Sequence, residues 1–346
     1  MTRIAYDDLV TFTGAVLAKA GLDDFSRDTV TSGLCETSLR GVDSHGIRLL
    51  PHYAASALSG RKNPKPDFKF DQRFPAMGAL DADDAFGHAA GMYAMNRAME
   101  MAETQGTGTV SVFNSSHPGA MASFALKAAR AGYIGFAFTH ADALVVAHGG
   151  TRALFGTNPV CMAAPRREEE PFCLDMATST IPWNRLMRHR ASGTPLAEGL
   201  AADENGAPTT DANAARALSP TGGYKGYGLG AMVEILCGVM SGMAVARDIP
   251  AMFTTPMDRP RKLGQFYMAM RTDCCGSADD FRARLQAMTD AARSEPAREG
   301  EEVMLPGDPE IRESARRRRD GIPLDSETED GLRALSETHD VPLVLT

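Results

Sequence analysis

Two histidines fall where the chain passes from one kind of element to another. His45 lies in "GVDSHGIRLLPHY", between two amphipathic helical segments, with Ser44 before it and Arg48 shortly after. His117 lies in "SVFNSSHPGA", after a strand-like run and before a helix, beside Asn114, Ser115 and Ser116. Imidazole titrates near neutrality, so either ring can exchange a proton with a substrate without an extreme pKa. An arginine fork holds a carboxylate through two hydrogen bonds, which makes Arg48 a candidate grip for an acid. The position of His117 at the carboxyl end of a strand is where ligands bind in open α/β sheets. The alternative for both is local: Ser44 and the Asn-Ser-Ser run are good turn and capping residues, and each histidine then satisfies backbone.

A third group is "SPTGGYKGYGLGAMVEIL". Gly222, Gly223, Gly226 and Gly228 allow close approach of backbone to a bulky ligand, and Lys225 offers a cation to phosphate. Gly226, Gly228 and Ala231 imitate the dinucleotide fingerprint G-x-G-x-x-A, but no strand runs directly into them, so this is not a Rossmann signature. A tightly packed helix needing small residues explains the same glycines. "CLDMATST" places Asp175 at a strand end, ahead of Thr178 and Ser179, where a carboxylate can orient a histidine or a ribose. "ALFGTNPV" reads as a sharp turn through Gly156, Thr157, Asn158 and Pro159. "DADDAFGH" (Asp81, Asp83, Asp84, His88) lacks hard-metal spacing and is expected to be a solvated acidic loop, so no metal is assigned. The arginines of "RRRRD", from Arg316 on, are expected on the surface of a helix C-terminus.

Helical periodicity predicts a helix over residues 5–20, a second from Ser26 to Gly41 and a third from Pro51 to Gly60. The runs "TVSVF" and "YIGFAFT" are strand-like, and the helical segment between them completes a βαβ pattern. "VCMAAPRREEEPFCLDMA" reads as two strands around a charged turn. Charged helix returns from about Glu310. The expected division is residues 1–66 (helical), 67–308 (central cofactor-binding mixed sheet) and 309–346 (helical, packing on the first). The 346 residues carry a formal charge of −8 with 43% apolar content, which excludes a general affinity for nucleic acid or acidic lipid. The six cysteines show no C-x-x-C spacing, and "MTRIAYDDLV" has no apolar core of a signal peptide, so a reduced, cytoplasmic protein is expected.

In combination, "SHGIRLLPHY", "NSSHPGA", "GGTRALFGTNP", "LDMATS", "DENGAPTTD", "GGYKGYGL" and "MLPGDPE" resemble the malate/L-lactate/sulfolactate dehydrogenase family, which also holds ureidoglycolate dehydrogenase, diketogulonate reductase and piperideine-2-carboxylate reductase. The resemblance spans essentially the whole chain. It implies a mixed α/β, sulfolactate-dehydrogenase-like fold, with a non-Rossmann central sheet and a helical domain from both chain ends. It implies hydride transfer between NAD or NADP and a small 2-hydroxy or 2-oxo acid, by a homodimer with its active site near the subunit interface. By position, His45 matches the proton donor of the reductases and His117 the base of a dehydrogenase member; Ser44 and Asp175 are the orienting partners. Arg48, His140 and Thr157 fall on the substrate side. Cofactor contacts fall at Asp175, Met176, Ala177, Tyr224, Lys225, Gly226, Pro306, Gly307 and Asp308. The chain departs from the family pattern at Leu49, His140, Ala141, Ala147 and Asp308. Reduction of a cyclic ketimine carboxylate, a non-catalytic ligand-binding role and a metal-dependent hydrolase using "DADDAFGH" with His45 are the competing readings.

Overall fold

The apolar residues Leu9, Phe12, Val16 and Leu17 recur at helical spacing and are buried along one side of the first helix, Tyr6–Lys19. The second helix, Asp24–Leu39, starts one half-turn before the expected Ser26, because the Asp23 carboxylate accepts the Ser26 N–H at 2.7 Å and so caps an earlier turn. The third, Leu50–Leu58, carries Pro51 in its first turn, where no helical N–H is lost. Residues leading into it are two short 3-10 turns, Asp43–His45 and Ile47–Leu49, rather than an open loop. The structure, a computed structural model, describes residues 2–346.

These helices share one apolar core with residues from the far end of the chain: Leu9, Leu34, Leu50 and Tyr53 pack in the same cluster as Leu324, Leu332 and Leu335. Strand pairing closes the arrangement. Arg3 and Ile4 run antiparallel to Pro323 and Ile322, and Arg3 exchanges both backbone hydrogen bonds with Thr346 at 2.8 Å.

The central sheet has seven strands in the order Lys69–Phe74, Met77–Asp81, Thr107–Ser115, Leu263–Met270, Ile134–Thr139, Val160–Ala164, Phe172–Met176. The strand, helix and strand of the expected βαβ unit exist, with Ala122–Arg130 as the helix. The two strands are not neighbours, however. Leu263–Met270 enters between them, antiparallel to both. The charged turn does join a hairpin, Val160–Ala164 with Phe172–Met176.

Helices Gly87–Gln105 and Ala122–Arg130 cover one face of the sheet through Ala94, Ala98, Phe124 and Ala128. On the other face the glycine-rich helix Tyr224–Glu234 passes into a π-helical turn, Ile235–Val239, whose Cys237 packs with Val233 and Phe266. A smaller five-stranded sheet lies beside it. No helix among the described residues is long and apolar enough to cross a membrane.

Candidate active site

His45 and His117 come from separate layers and meet. Their rings stack, with centroids 5.6 Å apart and planes inclined by 23°. His45 is on the 3-10 turn before the third helix, and its Nδ1 lies 2.9 Å from the Ser44 hydroxyl. His117 is on the loop between Thr107–Ser115 and Ala122–Arg130, and its Nδ1 lies 2.8 Å from the Tyr53 hydroxyl. That hydroxyl is also 3.3 Å from the His117 carbonyl, an alternative acceptor for its proton. Tyr53 can therefore donate to Nδ1, leaving the proton on Nε2. It can equally accept from Nδ1–H while donating to the carbonyl, leaving Nε2 as a base. Burial, helped by the Arg48 charge, lowers the His45 pKa to about 4. Burial also pushes His117 well down, with His45, Lys62 and Arg261 adding to the effect. Both rings are neutral in the resting protein at pH 7.

The loop that carries His117 is pinned by its neighbours. The Ser116 hydroxyl donates to the Ala85 carbonyl at 2.8 Å and accepts the Gly87 N–H at 3.0 Å; the Gln265 side-chain amide donates to the Ser116 carbonyl at 2.9 Å. A side chain at Gly87 would collide with the Ser116 carbonyl, so glycine lets the helix start close on this loop. Asn114 is tied to Asp81 at 3.0 Å. Asn114 and Ser116 thus do the turn work, while His117 and Ser116 line a cavity.

His45 is held from the other end of the chain. Arg317 is buried, not on the surface as its place in "RRRRD" predicts. It grips Asp43 through two hydrogen bonds of 2.5 and 3.0 Å, and donates to the Ser38 carbonyl at 2.8 Å. Asn184 reaches the Ser44 carbonyl at 3.3 Å. Arg48 is near enough for its charge to act on His45, and its ion-pair partner is a loose one, the exposed Glu327 at 3.5 Å. His88 is likewise not on a solvated acidic loop. It is 1% exposed, packs edge-on against Tyr53 at 5.6 Å, and lies beneath Gly33 and Gly119.

On the His117 side is a cavity lined by His52, Arg61, Lys62, Ser116, His117, Met252 and Arg261. None of its basic residues stands out in the sequence: Arg61 and Lys62 fall in "GRKNPKPDFKF", which reads as a Pro/Lys-rich connector. All three cationic side chains, Arg61, Lys62 and Arg261, are buried. Lys62 Nζ sits 3.6 Å above the Tyr53 ring centre. Burial, reinforced by Arg261 and Arg61, drives its pKa well below the usual lysine range.

The residues expected to face a cofactor gather at the end of the Phe172–Met176 strand. The Asp175 carboxylate is exposed there and accepts the Ala122 N–H at 2.8 Å, at the start of the helix that follows His117. Thr157, in the expected sharp turn, accepts the Thr178 N–H at 2.8 Å, and Thr221 donates to the Thr178 carbonyl at 2.9 Å. This draws the strand end, the turn and the glycine helix together, with Tyr224 and Lys225 exposed at the helix start. Pro306 joins through its carbonyl, 3.3 Å from the Cys173 N–H.

Three placements differ in character. Gly226 has no room for a side chain because Thr221 and Thr178 backbone press on it, so it serves packing. The Asp308 carboxylate is taken up by Arg293 at 2.7 and 2.9 Å and by the Leu305 N–H at 3.0 Å, which makes it a clasp of Gly307 and its helix. His140 is buried; its Nε2 accepts the Gly264 N–H at 2.9 Å, and its Nδ1 lies 3.5 Å from Glu234, against the π turn.

Comparison with known proteins gives a consistent result. Residues 4–333 match the family described as malate/L-lactate dehydrogenase. The chain is 34% identical to the ureidoglycolate dehydrogenase (NAD(+)) of Escherichia coli (strain K12), over 84% of this chain and 83% of that protein. It is 35% identical to a malate dehydrogenase of Pyrococcus abyssi, over 83% of this chain and 80% of that protein. Its fold matches the crystal structure of malate dehydrogenase from Entamoeba histolytica with a TM-score of 0.93 at 28% identity, covering 99% of each chain. The sulfolactate dehydrogenase of Methanocaldococcus jannaschii matches with a TM-score of 0.91 at 27% identity, covering 99% of this chain and 98% of that one. The relatives it matches are dehydrogenases, and the protein is accordingly an oxidoreductase. The chain belongs to the malate/L-lactate dehydrogenase family.

Proposed function

We propose that this oxidoreductase transfers a hydride between a nicotinamide cofactor, NAD or NADP, and a small 2-hydroxy or 2-oxo acid of the malate, lactate or sulfolactate type. The observation that carries the reading is the His45–His117 stack, 5.6 Å between centroids, with the Arg48 charge felt at His45 and a basic cavity against His117. A small acid held there meets both a proton-transfer group and cations for its charge. The residues around Asp175 fit a dinucleotide: an exposed carboxylate, an exposed aromatic at Tyr224 and an exposed cation at Lys225 border one strand end. Asp308 does not add to that set, since Arg293 already holds it. When bound, the nicotinamide supplies or accepts the hydride, and the protein supplies position and charge.

His117 is the group placed to move the proton. It lines the cavity, and the Tyr53 hydroxyl accommodates either protonation pattern of its Nδ1. With Nε2 bare, His117 takes the proton of a substrate hydroxyl during oxidation; with Nε2 protonated, it returns one to the oxygen during reduction. His45, braced by Ser44, stacks on the His117 ring and keeps it in place. His117→Ala is expected to lower kcat roughly 10²–10⁴-fold with cofactor affinity kept, and His45→Ala to lower it less. Stopped-flow absorbance with a panel of 2-oxo acids and each reduced cofactor tests both. A larger loss in His45→Ala would move the proton transfer to His45.

The assembly that fits is a homodimer. The helix from Tyr224 exposes Leu229, Met232, Ile235 and Val239 along one flank, with Val239 63% exposed. Light scattering is expected to give twice the chain mass, and Val239→Lys to shift it towards the monomer. All six cysteines are unpaired, which supports a reducing, cytoplasmic setting.

A further inference from the structure

We propose that Arg61, Lys62 and Arg261 form a second anion site, which takes the far acidic group of a dianionic substrate while Arg48 holds the carboxylate beside the reacting carbon. The inference rests on the hydroxy-acid reading above and narrows it to acids with two anionic ends. It starts from polar atoms with nothing to bind. Lys62 is 3% exposed, and its Nζ has no hydrogen-bond acceptor among the described residues. Arg61 is also 3% exposed; Nη1 donates to the Met252 carbonyl at 2.9 Å, but Nε and Nη2 have no partner. Arg261 is better served, with Nε on the Pro250 carbonyl at 2.7 Å and Nη2 on Asp142 at 2.5 Å. One carboxylate therefore faces three buried cations. Buried donors that lack partners are costly, and a fold does not gather them on one wall without a compensating ligand. The Tyr53 and Phe86 rings below Lys62 offset only part of that cost.

The place of the cluster decides what it binds. His117 lines the same cavity, so an anion held there is within one small molecule's length of the proton-transfer group. Only about 10 Å³ is open to the centre of a water molecule, room for a single water. A carboxylate or sulfonate entering it displaces the flexible Met252 thioether, and a bulky tail is refused. A small acid with two anionic ends can leave its reacting carbon beside His117 and put its far charge on this cluster. An entering anion also favours the ammonium form of Lys62, which burial disfavours.

The test pairs substrates of one length that differ only in the far group: oxaloacetate and 2-oxobutyrate. The ratio of their kcat/KM values is expected to favour oxaloacetate, and to fall on the order of 10²-fold in Lys62→Met and in Arg61→Met. Calorimetric titration with succinate, which cannot react, is run beside butyrate. Succinate is expected to bind more tightly than butyrate in the parent enzyme, and to lose that advantage in Lys62→Met. Circular dichroism verifies the fold of each variant. A ratio unmoved by both substitutions, or succinate bound no better than butyrate, overturns the proposal. If neither oxo acid is reduced with either cofactor, the functional reading fails, and the succinate titration still decides the site.

Discussion

Two buried clusters of charge in this molecule are built on opposite plans. Around Asp308, the carboxylate receives Arg293, Arg166 and a backbone N–H, and Arg293 also holds both oxygens of Glu169. Around Lys62, cations outnumber acceptors and several N–H groups point at nothing. The first cluster is complete without a ligand and fastens Gly307 and its helix to the hairpin turn. The second is incomplete and adjoins His117. A buried charge that is fully partnered holds a fold, while one that is not marks where something else must bind.

The largest effect expected from this contrast is on stability. Asp308→Ala removes the carboxylate that Arg293 and Arg166 share and should cost about 3 kcal/mol in urea unfolding, whereas a cost below about 1 kcal/mol would show that the clasp is not holding. Acid separates the clusters next. The pKa of His88 is lowered to about 3 by burial, and those of His45 and His52 to about 4, so the fold keeps them neutral while the unfolded chain protonates them near 6.5. Below pH 6.5 the unfolded state binds more protons, and stability falls as pH falls. The slope is about 1.4 kcal/mol per pH unit for a histidine as buried as His88. Hydrogen bonds from Arg293 hold Asp308 at about 2, so its contribution is full above pH 3.8 and is lost only towards pH 2. Denaturant midpoints from pH 7 to 4 should therefore decline, and His88→Leu should flatten the decline; a flat parent profile would contradict the buried neutral histidines. The smallest effect is expected at Lys62. An apolar side chain of similar length relieves an unpaired buried amine, so Lys62→Met should leave the unfolding free energy within about 1 kcal/mol of the parent. A loss as large as that of Asp308→Ala would make the two clusters alike.

Much of this architecture is legible from local pattern. The spacing of Leu9, Phe12 and Val16 forecasts a helix buried on one side, and the alternation through Cys161 and Cys173 forecasts two strands about a charged turn. What local pattern does not carry is partnership across long separations. Nothing in "TVSVF" or "YIGFAFT" announces that Leu263–Met270 will come between them, because strand pairing is settled by tertiary packing. The candidate site divides in the same way. His45, His117 and Arg48 are marked by residue type at element junctions. Tyr53, Lys62, Arg261 and Arg317 belong to types and contexts that usually face water, and only the assembled layers bury them. Asp308 shows the converse, since its carboxylate is already engaged by neighbours.

The clasp of Arg317 on Asp43 has a consequence for how the enzyme comes into being. The turn bearing Ser44 and His45 is made early in translation, but the guanidinium that fixes it is added 274 positions later, and the Thr346 that zips onto Arg3 later still. A growing chain thus carries the turn of Ser44 and His45 without this clasp until residue 317 has been made, and a message cut short before Arg317 leaves Asp43 without its guanidinium partner.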